Sequence, residues 1–500
     1  MNSGKKLISN TFYLTLKWFS LSVTSILFWM IVGKFLGPRE YGITTTSLNL
    51  IAILGGLTQL GFQTALIKLV SEDKRNIKKY FPFVIKTVLF FNFIITLFLI
   101  IFYNQISSIL KLDLLILIII SPFGIFISSL GLVFTSVIGG LQNMKKIFIT
   151  DLIAQISKVL LCFVLLFLNF SYIGAIIGAL AYFLLLLILR FNPNYVVKEQ
   201  KIFNKKDLFK YSFPAFIIYL SWLLFNNTGY ITLAALKDLE ITGKFSVAML
   251  MVTPIPIIVQ TISRSLFPII SKLSKNKDSR KSITYFLLSF RYSFLFVLPL
   301  VILLISFSRI GVLLISSEEF LEATTFLPFL TIGAMLLGLG SLFSDSLYAI
   351  GYPKISRNTV FSLSLLFLVL SLVFTFKYSA LGLSFAYFLG ALFFFCSSFI
   401  LLRKYMHFKF DFKMIFKIII SAIFLFLFLY LIRPYVHNFF IAVLLVILST
   451  PIYFISLYFL NFYDRNDLIL LKRMSEKTPN PIKKIIKLLH KIIEKKITKK

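Results

Sequence analysis

Apolar runs of about twenty residues follow one another along this chain, and the connections between them are short and hold most of the charge. As a helix, a run of that length crosses the hydrocarbon core of a bilayer, where every backbone donor and acceptor must be paired inside the segment. Fourteen spans are predicted, at 8–35, 42–70, 81–103, 114–139, 147–169, 171–190, 211–236, 244–271, 282–307, 323–350, 358–376, 380–402, 413–432 and 437–460. The fold class is an all-α polytopic membrane protein. Its 58% hydrophobic and 14% charged content agrees, because a soluble chain carries about a quarter charged residues. The first run is too long for a signal-peptide core and has no small-residue cleavage site, so it is read as a retained helix.

The formal charge of +33 would suit nucleic acid, but no soluble basic domain is present to bind it. The basic residues sit instead in connections 71–80, 140–146, 191–210, 272–281, 351–357 and 403–413 and at both termini. Short loops with that bias predict that both termini lie in the cytoplasm. Cys162 and Cys396 fall in apolar runs, and His407, His437 and His490 in loops and tail, which leaves no disulfide or metal pattern. No Walker loop, nucleophile elbow or large catalytic loop is found, so no enzyme activity and no cofactor are expected.

A weak internal repeat organises the spans. Laying Gly42 on Gly243 also lays Gln59 on Gln260, a shift of 201, and Gly140-Leu141-Gln142 after span four resembles Gly351-Tyr352-Pro353 after span ten. Two six-helix lobes follow, residues 1–205 and 206–404, with two extra C-terminal helices at 405–462 and a basic tail at 463–500. Parallel repeats of this kind place a substrate site between the lobes. In the tail, Ile482, Ile485, Ile486, Leu489, Ile492 and Ile493 form an apolar stripe flanked by lysines. That pattern predicts a surface helix on anionic lipids.

Polar residues at membrane depth are costly and mark function or helix contacts. Asn10, Tyr13, Lys17, Ser20 and Thr24 share one face of the first span, which is read as lining a wet, cationic cavity. Asn49, Gln59 and Gln63 share a face of span two, and Asn226 and Asn227 lie in span seven. In span eight, Pro254 and Pro256 predict a break ahead of Gln260 and Arg264. Lys68 and Lys86 lie near span ends and are read as snorkelling, whereas Lys158 and Arg291 lie deep enough for a role with substrate. Asp345 is read as the one acid well inside a span, a candidate for ion coupling. The positive excess suits an anion with an apolar tail, such as a lipid phosphate.

The chain resembles polysaccharide-exporter and O-antigen-type flippases of the multidrug/oligosaccharidyl-lipid/polysaccharide superfamily. The stretches that carry the likeness are Lys34-Phe35-Leu36-Gly37-Pro38-Arg39-Glu40-Tyr41-Gly42, Leu60-Gly61-Phe62-Gln63-Thr64-Ala65-Leu66, Thr242-Gly243-Lys244-Phe245-Ser246-Val247-Ala248 and Leu266-Phe267-Pro268. The resemblance implies a fold like that of multidrug (MATE) exporters, two six-helix lobes around a central cavity, with alternating access. It implies export of a polyprenyl-pyrophosphate-linked oligosaccharide from the cytoplasmic leaflet, with polysaccharide polymerases or glycosyltransferases as partners. Cationic residues of spans one and eight face the pyrophosphate in such flippases, and Lys17 and Arg264 occupy comparable places. Where many relatives carry an acidic-basic pair in span seven, this chain reads Asn226-Asn227-Thr228-Gly229, which argues against acid-dependent coupling there. The alternative is a drug or cation antiporter of the same fold, which requires more buried carboxylates. A major-facilitator transporter is disfavoured because the 71–80 loop lacks that group's glycine-bounded Asp-Arg motif.

Overall fold

The computed structural model describes residues 3–195, 205–275, 278–432, 439–464, 467–468, 490–491 and 494, which contain helices and no strand. The predicted amphipathic tail helix and most of 463–500 lie outside the described residues. The first half contains α1 (Ser3–Phe35), α2 (Pro38–Thr58), α3 (Phe62–Glu72), α4 (Asn76–Ile101), α5 (Tyr103–Leu110), α6 (Ser121–Gly140), α7 (Met144–Phe167) and α8 (Ser171–Arg190). The second half contains α9 (Lys205–Leu236), α10 (Leu239–Val252), α11 (Pro254–Lys275), α12 (Ser279–Ser306), α13 (Ser308–Ile315), α14 (Ala323–Ala349) and α15 (Pro353–Met406). Two further helices, α16 (Phe412–Ile432) and α17 (Phe439–Phe459), follow. Among the described residues eleven helices are long and apolar enough to cross a membrane, or twelve when α2 and α3 count as one bent span. Apolar side chains left exposed on the outside, among them Phe93, Leu160, Phe376 and Phe416, suit contact with lipid tails.

Three of the predicted spans fold differently from a plain helix. Span two is broken, with a 51° bend between α2 and α3. At the bend Gly61 has φ +73°, and a Cβ there would lie 2.1 Å from the Ser212 carbonyl oxygen of α9. Only glycine meets both the left-handed backbone and the close approach. Spans eleven and twelve run together as α15, whose 54 residues would reach about 80 Å if straight. The chain instead turns back at Ser379 (φ 54°), so that Phe374 packs on Phe385 and Tyr352 stacks on Tyr405, ring centres 4.1 Å apart. A matching reversal separates α7 from α8 at Asn169 and Ser171, both at positive φ.

The internal repeat is visible in the packing. Helix α2 crosses α10 so closely that a Cβ on Gly42 would lie 1.7 Å from the Leu239 carbonyl oxygen. One on Gly243 would lie 1.9 Å from the Pro38 carbonyl oxygen. Adding the shift of 201 to Pro38 and Gly42 gives Leu239 and Gly243, so each half offers the same two positions to the other. A local two-fold therefore passes between the two glycines, which is the arrangement expected of two repeated lobes meeting face to face.

Candidate functional site

Below the crossing, the polar stripe of α1 does not face open space. It mates with a second stripe on α7, formed by Asp151, Gln155 and Lys158 at offsets 0, 4 and 7. The Tyr13 ring packs on Phe148 with centres 6.0 Å apart, and the Thr24 hydroxyl donates to Gln155 Oε1 at 2.8 Å. Lys17 Nζ lies 3.3 Å from Asp151 Oδ2, with its side chain 18% exposed. The Lys158 ammonium sits 4.0 Å from the centre of the Phe28 ring. Reading α1 as a cavity wall is corrected accordingly: this face is largely a helix contact, with Lys17 at its margin.

Asp151 is also the acid that sequence reasoning passed over when it took Asp345 as the one acid well inside a span. It is buried, accepts from Arg190 Nη2 at 2.8 Å and accepts from the Tyr182 hydroxyl at 2.7 Å. Arg190 is itself buried and donates further to Thr150 Oγ1, Thr135 Oγ1 and the Ile147 carbonyl. The cost of burying one carboxylate and one guanidinium is met by near-complete hydrogen bonding. The signal was present in the sequence, because an acid one turn into span five follows the same spacing as Gln155 and Lys158.

The second half differs. Trp222 and Asn226 of α9, Thr253 at the α10–α11 break, Gln260 and Arg264 of α11, Ser341 and Asp345 of α14 and Tyr387 of α15 line a cavity of about 630 Å³. The predicted proline break is there: α10 ends at Val252 and α11 begins at Pro254. Pro254 and Pro256 have no N–H for the carbonyls one turn earlier, and such irregular backbone survives at membrane depth where it lines a cavity. Four predicted site residues, Asn226, Gln260, Arg264 and Asp345, thus converge. A second cavity of about 290 Å³ shares Trp222, Phe267, Ser341 and Asp345 and adds Ser344, Ser356 and Arg357. Asp345 Oδ2 accepts from Ser263 at 2.7 Å.

Arg264 reaches across to the first half, its guanidinium carbon 4.9 Å from the centre of the Trp18 ring. Lys17 Nζ lies 5.6 Å from the same ring. The indole is attractive to both cations through its π face, and the two predicted headgroup cations are gathered on one side chain. No ion pair involves Arg264 among the described residues.

Three other candidates lie elsewhere. Gln59 is buried in the α2–α3 bend and donates to the Ser129 carbonyl at 2.8 Å, and Gln63 is displaced from its face by the same bend. Arg291 lines neither cavity. It is paired with Asp464 and Asp467 beyond α17, where the Tyr292 hydroxyl also donates to Asp467, and its expected role with substrate is corrected to one of anchoring. Lys68 pairs with Glu72 at 3.8 Å and stacks on Tyr211, in line with its position near a span end.

The described helices form an all-helical membrane bundle with a cavity lined by α9, α10, α11, α14 and α15. The profile of the family described as polysaccharide biosynthesis protein matches residues 7–274, over half of the chain, and the chain belongs to that family. It is thereby a flippase-type transporter of the multidrug/oligosaccharidyl-lipid/polysaccharide superfamily. An uncharacterised membrane protein of Methanocaldococcus jannaschii, MJ1068, is 24% identical over 405 residues, which cover 74% of this chain and 79% of that one. Among solved structures, the lipid II flippase MurJ in an inward closed conformation superposes with a TM-score of 0.71 at 17% identity, covering 89% of this chain and 98% of that one. An inward-facing multidrug resistance transporter of the MATE family gives 0.61 at 15% identity, covering 80% and 98%. At those identities the likeness is one of fold.

Proposed function

We propose that this protein is a flippase that moves a polyprenyl-(pyro)phosphate-linked oligosaccharide across the cytoplasmic membrane by alternating access, for the synthesis of a cell-surface glycan. The observation that carries the reading is the approach of Lys17 and Arg264, one from each half, to the same face-sharing indole of Trp18 beside the second-half cavity. A pyrophosphate brings at least two negative charges. At an effective dielectric near 20, one ion pair at 4 Å is worth about 4 kcal/mol before desolvation. Substrate held by both cations draws the halves together, whereas in the empty site Lys17 rests on Asp151, and that difference is what ligand-driven alternation requires. Gln260 and Asn226 add neutral hydrogen-bonding groups suited to a sugar.

The family and its neighbours are transporters rather than enzymes, which fits the absence of a catalytic constellation in the sequence. The basic loops support an orientation with both termini cytoplasmic. In a cysteine-free background, a cysteine at position 109 is expected to label from outside intact cells while 75 and 205 stay protected; labelling of 205 overturns that orientation. Transport is tested with a lipid-linked sugar in proteoliposomes, or by complementing a flippase-deficient strain. Arg264→Ala and Lys17→Ala are expected to reduce flipping severely while Lys17→Arg keeps part of it. Normal rates in both alanine variants would defeat the reading. Efflux of organic cations by the wild type, with no sugar-lipid movement, would favour the antiporter instead.

A further inference from the structure

The two cavities of the second half meet at Asp345, and each has its own arginine. Arg264 lines the larger chamber and Arg357 the smaller, with Ser341, Trp222 and Phe267 common to both. Arg357 lies one turn into α15, just past the Gly351 turn, so the smaller chamber opens near the basic 351–357 connection. In the sequence Arg357 belongs to the basic 351–357 connection, whose charge orients the protein in the membrane. Its guanidinium touches Asn358 Oδ1 at 3.2 Å, and no carboxylate pairs with it among the described residues. Asp345, which lines both chambers, has one hydrogen bond, from Ser263, and no ion pair among the described residues.

We propose that these chambers form a two-arginine diphosphate site, in which Arg357 and Arg264 each take one phosphate and Asp345 takes up a proton as the anion enters. The proposal rests on the flippase reading and adds to Lys17 and Arg264 a third cation and a counter-ion. The charge balance argues for it. With Lys17 matched by Asp151 and Asp345 ionised, the two arginines and one carboxylate sum to +1, against −2 on a diphosphate diester. With Asp345 protonated the sum is +2 and the bound site is neutral. An ionised carboxylate on the wall of both chambers repels the phosphates, so anion and proton favour each other's binding. The proton comes from water at the loop end and joins a carboxylate oxygen, and no covalent bond breaks.

The groups around Asp345 leave few other sites for that proton. Helix α11 presents Arg264, α15 presents Arg357 and Tyr387, and α14 itself adds Tyr348. From α9 come Trp222 and Asn226 and from α10 Met249, Val252 and Thr253, none of which titrates near neutrality. Helix α12 meets α14 through Phe286 and Phe290 on Phe343.

The test is calorimetric titration of the full chain in detergent with a short-chain prenyl diphosphate sugar, whose two phosphates are each singly ionised from pH 5 to 8. A matching monophosphate serves as the control, and buffers of different ionisation enthalpy report the protons taken up. The wild type is expected to bind more tightly as pH falls, by up to tenfold per unit, with uptake approaching one proton per anion at the high end of the range. Asp345→Asn should bind as tightly at pH 8 as the wild type at low pH, with no proton uptake. Arg357→Ala should weaken the diphosphate about tenfold, equivalent to about 1.4 kcal/mol, and lose the preference over the monophosphate, while Arg357→Lys recovers part of it. Unchanged affinity and preference in Arg357→Ala, or unchanged uptake in Asp345→Asn, overturns the inference and leaves the flippase reading in place. Failure of the wild type to bind any lipid diphosphate overturns both.

Discussion

In the first half, Lys17 and Arg190 close on Asp151, and the polar face of α1 is packed against its counterpart on α7. In the second half, Arg264 and Asp345 face a cavity, and the spare hydrogen-bonding groups of α9 and α11 do the same. The halves share a fold and cross at equivalent glycines, yet equivalent places in them differ in chemistry. The shift of 201 puts Gln63 where the second half has Arg264, and Ile218 where the first half has Lys17. Asp151 and Arg190 of the first half are bound up in holding helices together, with Lys17 at their margin, whereas Arg264 and Asp345 of the second half line the cavity.

The strongest way to break that contrast is at Arg190. Removing the guanidinium leaves Asp151 buried with one partly exposed lysine, and breaking such a pair costs about 3–5 kcal/mol. Arg190→Ala is expected to lower the thermal midpoint in detergent sharply and to cut the yield of monodisperse protein. Arg264→Ala should leave both unchanged. Equal destabilisation by the two variants would erase the distinction between a structural and an available cation.

Arg291 extends the comparison to α16 and α17. It is buried, whereas one of its partners, Asp464, is 44% exposed, so water compensates part of any loss. Arg291→Ala is expected to cost about 2 kcal/mol, less than Arg190→Ala, and to loosen the C-terminal pair of helices. Proteolysis near residue 464 should quicken while affinity for a lipid diphosphate stays level. A loss of affinity without quicker cleavage would return Arg291 to the binding site.

How much of this could be read from residues alone follows from what each signal depends on. Apolar length and loop charge are local, so the helices, the proline break at Thr253 and the repeat were legible. Asn226, Gln260 and Arg264 were singled out by helical spacing and Asp345 as an acid at membrane depth, but their meeting in one cavity depends on how α9, α11 and α14 pack. What failed needed knowledge of the neighbour. A stripe such as that on α1 looks the same whether it meets water or the matching stripe on α7, and only pairing offsets between spans separates the cases. Arg291 looked like a deep cation because Asp464 and Asp467 lie far along the chain, beyond span fourteen. The bend after α2 depends on the approach of Ser212 to Gly61, which no local pattern encodes.

The smallest expected effect gives the most direct comparison, because it uses one residue type at two positions related by the repeat. Gln59 is buried and donates to the Ser129 carbonyl, whereas Gln260, 201 residues later, is half-buried against the cavity. Hydrogen bonds between membrane helices average about 0.6 kcal/mol and reach about 1.7 kcal/mol. Gln59→Leu removes such a bond while the Ser129 carbonyl keeps its place in the α6 ladder, so a stability loss of about 1 kcal/mol is expected, with transport per folded molecule unchanged. Gln260→Leu removes a polar group that faces the cavity and the sugar, so stability should hold while transport falls a few-fold. Thermal unfolding and initial rates measured on the same preparations check both halves of the statement. If Gln59→Leu slows transport and Gln260→Leu destabilises the fold, the roles assigned to the two halves are reversed, and the cavity in the second half is a packing defect rather than a site.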